Sequence, residues 1–314
     1  MTLCIGIDIG GTKIAAGVVD EEGSMVASAR RPTPSDGAHG IVRVSSELVA
    51  ELRRSYEVAA VGVGAAGFID ADRAKVVFAP NLTWRNEPLK ARLESTTGLP
   101  TVIENDANAA AWAEARFGAA RGARHCVVLT VGTGVGGGVI VDGKLLRGAG
   151  GMAGELGHIN VKKGGRRCGC GRFGCLERYG SGRSLVHEAR ELAMYAPDRA
   201  ERLLELAGGT PEGITGMHIT QAAKEGDEAA IECFDIVGDW LGIGMADLSS
   251  AFDPAVFVLA GGVSEAGELL RKPAAAGLAS RVSGLPYRSI PPVLLATLGN
   301  DAGIIGAADL ARTP

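Results

Sequence analysis

The sequence predicts a two-domain α/β protein. Apolar, strand-like runs alternate with segments of helical periodicity, short glycine turns join them, and no low-complexity linker separates the two halves. A chain of 314 residues usually forms two domains or one large one. We therefore expect the boundary to be a hinge between packed domains, with a ligand site in the cleft between them.

The first half supplies a strand pair, a helix, two strands and a second helix. Strand-like runs at residues 3–9 and 13–19 flank the turn Gly10-Gly11-Thr12. A helix over 40–54, a buried strand over 58–64 and a short strand over 101–103 follow. A further helix begins near Asn105. This alternation favours a sheet covered by helices.

The second half repeats the opening arrangement and is then mostly helical. Strand-like runs at 127–131 and 135–141 flank Gly132-Thr133-Gly134, and alignment of the two pairs places Gly10 on Gly132 and Asp8 on Thr130. Helices are predicted over 184–195 and 227–252, the second with Asp227 as N-cap. Strands at 255–259 and 293–296 and a helix at 302–310 complete the prediction. The two strand–turn–strand pairs indicate a weak internal repeat.

Composition narrows the class of protein. The chain is 46% hydrophobic, 22% charged and 4% aromatic, as expected for a soluble globular protein. Its formal net charge of −4 argues against nucleic acid as the main partner. The first residues lack a basic segment, and glycines interrupt the most apolar stretch, so neither a secretory signal nor a membrane helix is predicted. We expect a cytoplasmic protein that acts on small molecules.

The six cysteines fall into two groups. Three stand singly in apolar runs, where buried free thiols are expected: Cys4, Cys126 and Cys233. The other three lie within eight residues, and a histidine precedes them by ten: His158, Cys168, Cys170 and Cys175. In a reducing compartment such clustering favours metal over disulfides. One histidine and three thiolates complete tetrahedral Zn²⁺ and leave no open position, so a structural zinc site is predicted.

Two glutamates flank the predicted zinc ligands. Glu155 lies three residues before His158, and Glu177 lies two residues after Cys175. Bound zinc would hold both carboxylates in a glycine-rich region that is otherwise too mobile to place them. The second ring nitrogen of His158 could then contact a substrate hydroxyl.

Three glycine turns are candidates for binding phosphate. In the segment from Asp8 to Lys13, glycines allow backbone N–H groups to approach phosphate oxygens, Thr12 adds a hydroxyl, and Asp8 could hold Mg²⁺. One such turn could equally be an ordinary hairpin. However, Gly132-Thr133-Gly134 repeats the chemistry, and Gly261-Gly262 offers a third close approach suited to a nucleoside. The P-loop pattern is absent, so the set predicts a nucleotide site of another type.

A carboxylate follows the predicted strand at 101–103. In Glu104-Asn105-Asp106, one polar side chain is expected to cap the helix that starts there. Capping does not require both Asn105 and Asp106, and a strand-to-helix corner is where α/β enzymes place catalytic groups. Phosphoryl transfer needs one carboxylate to accept the proton of the attacking hydroxyl. Asp106 is our candidate for that base.

Taken together, four motifs resemble the ROK family of sugar kinases, regulators and related proteins, and within it the bacterial glucokinases. They are Asp8-x-Gly-Gly-Thr-Lys, Glu104-Asn-Asp, Glu155-x-Gly-His and Cys168-x-Cys-Gly-x-x-Gly-Cys-x-Glu. The resemblance implies an actin-like ATPase (ribonuclease H-like) fold with two domains around a central cleft. Residues 1–110, completed by the C-terminal helix at 297–314, would form the smaller domain. Residues 111–296 would carry the zinc and a dimer surface.

The resemblance also implies a role for each matching residue. Asp106 would activate the sugar 6-hydroxyl. The remaining hydroxyls would be bound by Asn105, Glu155, His158 and Glu177, with Gly67 and Asn81 lining the pocket. The nucleotide would be bound by Asp8, Gly10, Gly11, Thr12, Lys13, Gly132, Thr133 and Gly134 at the phosphates and by Gly261 and Gly262 at the adenosine.

The expected activity is therefore transfer of the γ-phosphoryl group of Mg-ATP to the 6-hydroxyl of glucose, by a homodimer or homotetramer containing structural zinc. Mannose, fructose or N-acetylmannosamine remain alternative acceptors, since pocket residues of these types do not fix the epimer. Polyphosphate remains a possible additional donor. A sugar-responsive regulator is the alternative from another class, but such proteins carry a helix-turn-helix before the first strand, and here the strand is expected from residue 3.

Overall fold

The computed structural model describes residues 2–79 and 84–312. Its strands are β1 Cys4–Ile9, β2 Lys13–Val19, β3 Met25–Pro32, β4 Val61–Ala65, β5 Phe68–Ile69, β6 Val76–Ala79, β7 Trp84–Glu87, β8 Thr101–Asn105, β9 Cys126–Val131, β10 Val135–Val141, β11 Lys144–Leu145, β12 Val256–Ala260 and β13 Val293–Leu295. Its α-helices are α1 Gly37–Leu52, α2 Leu89–Thr97, α3 Asp106–Arg116, α4 Glu177–Gly180, α5 Gly182–Tyr195, α6 Glu201–Leu206, α7 Gly216–Lys224, α8 Glu228–Phe252, α9 Glu268–Ala279 and α10 Ala302–Leu310.

Two five-stranded sheets have matching strand order. The first runs β3-β2-β1-β4-β8 and the second β11-β10-β9-β12-β13. In the first sheet β1 is antiparallel to β2 and parallel to β4, which is parallel to β8. In the second, β12 is parallel to both β9 and β13. The central position of β1 and of β9 in their sheets supports the internal repeat predicted from the sequence. A small antiparallel sheet contains β5, β6 and β7.

The chain forms two compact units. Unit 1 comprises the described residues within 1–124, 137–154 and 297–314, and unit 2 comprises 125–136 and 155–296. Unit 1 thus includes the C-terminal helix, and it also includes 111–124 and 137–154. The division into domains at residue 110 stays a prediction.

In unit 1, helices pack against both faces of the first sheet. Alternate residues of β1 point to opposite faces, and Ile5, Ile7 and Ile9 pack in one apolar cluster with residues of α1 and α2. On the other face, Cys4 clusters with Ile304 and other residues of α10. The sheet is therefore covered on both sides, as the α/β prediction requires.

Helix α10 lies directly on the sheet backbone because glycines leave room for it. Gly6 and Gly62 are register partners on β1 and β4. A Cβ at Gly6 would lie 1.9 Å from the carbonyl oxygen of Ile304, and one at Gly62 would lie 1.7 Å from that of Ala307. Close packing at these two positions makes the C-terminal helix part of the core of unit 1.

Most predicted elements are confirmed, with bounds shifted by up to about three residues. Asp227 caps α8 by accepting a hydrogen bond from the N–H of Ala230 at 2.8 Å. Strands β3, β5, β6 and β7 and helix α2 were not predicted from the sequence, and helices α6, α7 and α9 were not predicted as separate elements. No helix in the described ranges is long and apolar enough to cross a bilayer.

Candidate active site

The first sheet places Asp8 and the Glu104–Asp106 corner at the same edge. Asp8 pairs in register with Gly64 on β4, and Gly64 pairs with Glu104 on β8. The three strands are parallel to one another, so their carboxyl ends meet at one edge of the sheet. Asp106 begins α3 immediately after β8. The two aspartates predicted to serve the reaction in unit 1 are thus brought to one place.

Burial makes both aspartates easier to protonate than exposed carboxylates. The pKa of Asp8 is raised to about 6, chiefly by burial and then by the charge of Asp106, with Lys13 acting in the opposite direction. Burial also raises the pKa of Asp106, whose Oδ1 accepts a hydrogen bond from the N–H of Ala107 at 2.9 Å. Two neighbouring carboxylates of this kind suit a bound cation or proton transfer.

Asn105 provides the helix cap that the sequence left open between two candidates. Its Oδ1 accepts a hydrogen bond from the N–H of Asn108 at 3.0 Å, while its Nδ2 donates to the carbonyl oxygen of Gly67 at 3.1 Å. Gly67 has a φ of +147°, and a Cβ there would lie 2.5 Å from the carbonyl oxygen of Phe78. Asp106 is left free of capping. Asn81, the other residue predicted to line the sugar pocket, lies outside the described residues.

Hydrogen bonds to neighbouring residues fix the turn Gly10-Gly11-Thr12, and there is empty space beside Gly11. The N–H of Gly10 donates to the carbonyl oxygen of Lys13 at 3.0 Å, and the hydroxyl of Thr33 donates to the carbonyl oxygen of Gly10 at 2.7 Å. A Cβ at Gly11 would meet no atom within 4 Å, and its φ is not positive. The fold itself therefore does not require glycine at Gly11, whereas close approach of a ligand would.

The second turn lies in unit 2 at the start of helix α5. The N–H of Gly132 donates to the carbonyl oxygen of Gly134 at 2.9 Å, and the N–H of Gly182 donates to the carbonyl oxygen of Gly132 at 2.8 Å. Ser181 caps α5 by accepting a hydrogen bond from the N–H of Ser184. The positive end of the helix therefore lies beside the turn, an arrangement that favours phosphate.

A cavity of about 1260 Å³ opens beside this turn within unit 2. The predicted residues Gly132, Thr133 and Gly262 line it. Gly261, next to Gly262, has a φ of +86°, and a Cβ there would lie 2.6 Å from the carbonyl oxygen of Val131. Helices α5 and α7, with the N-cap Thr215 of α7, supply much of the remaining wall, and their lining residues include Arg183, Leu185, Val186, Met217 and Lys224. These lining residues were not predicted from the sequence, although Ser181 before a run of helical spacing marks the start of α5.

The predicted zinc ligands converge. The ligand atoms of His158, Cys168, Cys170 and Cys175 all lie within 4.8 Å of one another. Cys168 Sγ is 3.7 Å from His158 Nδ1, and Cys170 Sγ is 3.7 Å from Cys175 Sγ. Zn–S bonds of about 2.3 Å and Zn–N bonds of about 2.0–2.1 Å in a tetrahedron give S···S and S···N separations of roughly 3.8 and 3.6 Å. The donor set and its spacing fit zinc.

The two glutamates expected to bind substrate lie beside the cysteine cluster. Glu155 Oε2 lies 4.0 Å from His158 Nε2, the ring nitrogen that faces away from the cysteines. Cys168 Sγ lies 3.6 Å from Glu177 Oε1. A Cβ at Gly134 would lie 2.1 Å from Glu177 Oε2. Unit 2 thus brings Glu155, His158 and Glu177 together, with Glu177 against the turn Gly132-Thr133-Gly134.

Comparison with known proteins places this geometry in context. The protein-family sequence model described as "ROK family" matches residues 4–314 of this chain. A glucokinase from Streptomyces coelicolor is 49% identical over 314 residues, which cover 100% of this chain and 99% of that protein. The crystal structure of a ROK family glucokinase from Streptomyces griseus with glucose and AMPPNP is 50% identical, has a TM-score of 0.89, and matches over 99% of this chain and 100% of that one. A xylose repressor from Bacillus subtilis is 27% identical over 314 residues, covering 98% of this chain and 76% of that protein.

Proposed function

The chain belongs to the ROK family, and we propose that it is a glucokinase. It transfers the γ-phosphoryl group of ATP to the 6-hydroxyl of glucose and releases glucose 6-phosphate and ADP. The observation that carries this proposal is the full-length similarity, at about half of all positions, to curated Streptomyces glucokinases and to a glucokinase crystallised with glucose and a nucleotide analogue. The alternative acceptors considered from the sequence are outcomes of the test below.

Asp106 is proposed as the general base. Its carboxylate would accept the proton of the 6-hydroxyl while that oxygen attacks the γ-phosphorus and ADP leaves. Its position at a strand-to-helix corner, with Asn105 already serving as the cap, supports this role. A pKa raised by burial makes the ionised form a better proton acceptor near neutral pH.

The two glycine turns are proposed to bind the triphosphate. Backbone N–H groups of Gly11 and Thr12 in unit 1 and of Thr133 and Gly134 in unit 2 would contact phosphate oxygens. Gly10 and Gly132, whose N–H groups close the two turns, would let the phosphates approach the backbone without a Cβ in the way. Lys13 would add a positive charge, and Asp8 would hold Mg²⁺, which neutralises charge on the transferred group. The open space at Gly11 and the start of α5 beside Gly132 support this assignment. Gly261 and Gly262 would contact the adenosine, and Gly262 lines the large cavity.

The remaining sugar hydroxyls are proposed to be bound by Glu155, His158, Glu177 and the amide of Asn105, with Gly67 and Asn81 beside them. The cysteine cluster supports the first three, because Glu155 and Glu177 each lie beside one of its members, His158 and Cys168. Structural zinc on His158 Nδ1 and the three thiolates would fix this arrangement. A homodimer or homotetramer is proposed from family membership.

The proposal is tested by a panel of sugars in a coupled assay for ADP release. With Mg-ATP, we expect glucose to give the highest kcat/KM, and product analysis to identify glucose 6-phosphate. A higher kcat/KM for mannose, fructose or N-acetylmannosamine would reassign the acceptor. Absence of sugar-dependent ADP release with every sugar would overturn the kinase function.

A further inference from the structure

Glu104 is a buried carboxylate that the proposed chemistry does not use. It is the second-last residue of β8, two positions before Asp106, and its side chain is only 1% exposed. The desolvation of a carboxylate in such a place is unfavourable unless charge partners and hydrogen bonds compensate for it.

The two carboxylate oxygens of Glu104 contact two different sets of residues. Oε1 accepts hydrogen bonds from the N–H of Asn105 at 2.9 Å and from Nδ2 of Asn108 at 3.2 Å. Oε2 lies 2.8 Å from Nε of Arg147 and 3.2 Å from Nε of Arg73. One side of the carboxylate therefore orients the first turn of α3, and the other side joins two arginines.

Arg147 extends this connection to two further segments. Its guanidinium donates to the carbonyl oxygens of Asp70 and Ala71, each at 2.8 Å, while its own carbonyl oxygen accepts from the N–H of Ala153 at 3.0 Å. Further along the same segment, a Cβ at Gly151 would lie 2.6 Å from the carbonyl oxygen of Asp70. The network thus joins the β5–β6 turn, the β8–α3 corner and residues 147–154, all within unit 1.

Stability alone does not account for so many buried charges. Replacing a buried ion pair by apolar residues of similar volume is often neutral or stabilising. An arginine guanidinium that contacts several acceptors at once does, however, fix the positions of those acceptors relative to one another. Here the positions defined are those of Asn105 and Asp106 and of the segment that leads into Glu155.

We propose that Glu104 and Arg147 are positioning residues for sugar phosphorylation. They act through Asn105, through the corner that carries Asp106, and through residues 147–154, and they do not touch the reacting atoms. The inference rests on the proposed function. It assigns these residues to the sugar side of the reaction, because the contacts described above reach Asn105 and the corner that carries Asp106 and include no residue of the glycine turns proposed to bind nucleotide.

The test compares Arg147→Lys and Glu104→Gln with wild type. Lysine keeps the charge of Arg147 but cannot combine the ion pair with Glu104 and the two hydrogen bonds to the carbonyl oxygens of Asp70 and Ala71. We expect kcat/KM for the sugar to fall about tenfold or more, since small misplacements of reacting groups reduce rates steeply, while KM for ATP stays within about twofold. Glu104→Asp, which keeps the charge, should recover part of the loss.

Arg124→Lys is the matched control. Arg124 is an exposed arginine of the same unit whose ion pair with Asp142 is also exposed, so its replacement should leave every constant unchanged. All constants are measured with the sugar that wild type phosphorylates fastest, so a wrong acceptor assignment does not affect this test. Glu104→Asp replaces Glu104→Gln if circular dichroism shows the latter to be unfolded.

Two results would overturn the inference. One is an unchanged kcat and KM for the sugar in the folded variants. The other is a lowered melting temperature with KM for ATP and KM for sugar rising together, which is what a merely structural role would produce.

Discussion

Burial and the neighbouring charge of Asp106 disfavour the ionised form of Asp8. Its pKa of about 6, against 3.8 for an unperturbed aspartate, means that the folded protein holds a proton there more tightly than the unfolded chain. The stabilising contribution of protonated Asp8 is complete below pH 3.8 and is lost as the pH rises to about 6. Above that pH, a shift of about two units corresponds to roughly 3 kcal/mol of lost stability, as an upper bound. Such a loss is typical of functional positions.

Asp8→Asn should therefore stabilise the fold at neutral pH. We expect a higher free energy of unfolding than wild type at pH 7.5, and an advantage about half as large at pH 5, because wild-type Asp8 is largely protonated there. Urea titrations of both proteins at the two pH values measure the free energy of unfolding. Asp72→Asn, at an exposed position of the same unit, is the matched control and should leave the free energy of unfolding at pH 7.5 nearly unchanged.

An equal effect of Asp8→Asn at both pH values, or a loss of stability at pH 7.5, would contradict this account of Asp8. Since Asp8 is proposed to hold Mg²⁺, the stabilised variant should also lose most Mg-ATP turnover.

Residue types in the candidate site could be predicted from the sequence, but their environments could not. The spacing of Cys168, Cys170 and Cys175 after His158 was enough to predict a cluster, and the structure confirms that the four ligand atoms converge. Nothing local to Glu104 shows that Arg147, 43 residues later in the numbering, is its partner. Pairings of this kind depend on the tertiary fold.

At the scale of elements, the predictions succeeded where patterns were strong. Buried strands such as β9 and the long helix α8 have continuous apolar runs or clear caps. Strand β3 lies at a sheet edge with mostly partly or fully exposed residues, so its hydrophobic signal is weak. Helix α2 begins after Pro88 without a side-chain cap and buries only Leu89 and Leu93. Short, exposed elements carry too little periodicity to be identified from sequence.

The cysteine cluster is the element whose role can be tested by removing a ligand. Cys170→Ser should reduce bound zinc from one equivalent per chain to nearly none, because three remaining ligands leave the tetrahedral site incomplete. A lower melting temperature should accompany the loss, since structural zinc contributes on the order of 10 kcal/mol in small peptides. Metal analysis and thermal unfolding measure the two effects.

Cys126→Ala serves as the control for this experiment. Cys126 is a fully buried thiol on β9, outside the cluster, and burial raises its pKa to about 12. The variant should keep a full equivalent of zinc. Full zinc in Cys170→Ser would show that the cluster is not the metal site.

At the scale of the whole molecule, the α/β class and the repeated sheet could be predicted because glycine turns and apolar runs recur in order along the chain. The place of the C-terminal segment within unit 1 came from the family resemblance, and the contacts that hold it there could not be predicted. The buried carboxylate of Glu114 on α3 accepts hydrogen bonds from the backbone N–H groups of Thr297 at 3.0 Å and Leu298 at 2.8 Å. Asp309 on α10 accepts from Trp112 Nε1 at 2.8 Å. These bonds join residues almost two hundred positions apart.

The helix walls of the large cavity were missed for a related reason. Residues of α5 and α7 line it together with Gly132 and Gly262, which come from distant parts of the chain. Periodicity identifies the face of a helix that is buried, but it does not identify a face that borders a cavity. The glycine turns proposed to bind nucleotide were therefore predicted without the helix surfaces beside them.

The central claim is that this chain phosphorylates a sugar with Asp106 as the base, and Asp106→Asn tests it most directly. Glucose affinity by calorimetry should stay within about threefold of wild type, while kcat falls about 10²–10⁴-fold, the usual contribution of a general base. A variant that binds glucose and keeps turnover within about twofold of wild type would contradict the assignment of Asp106.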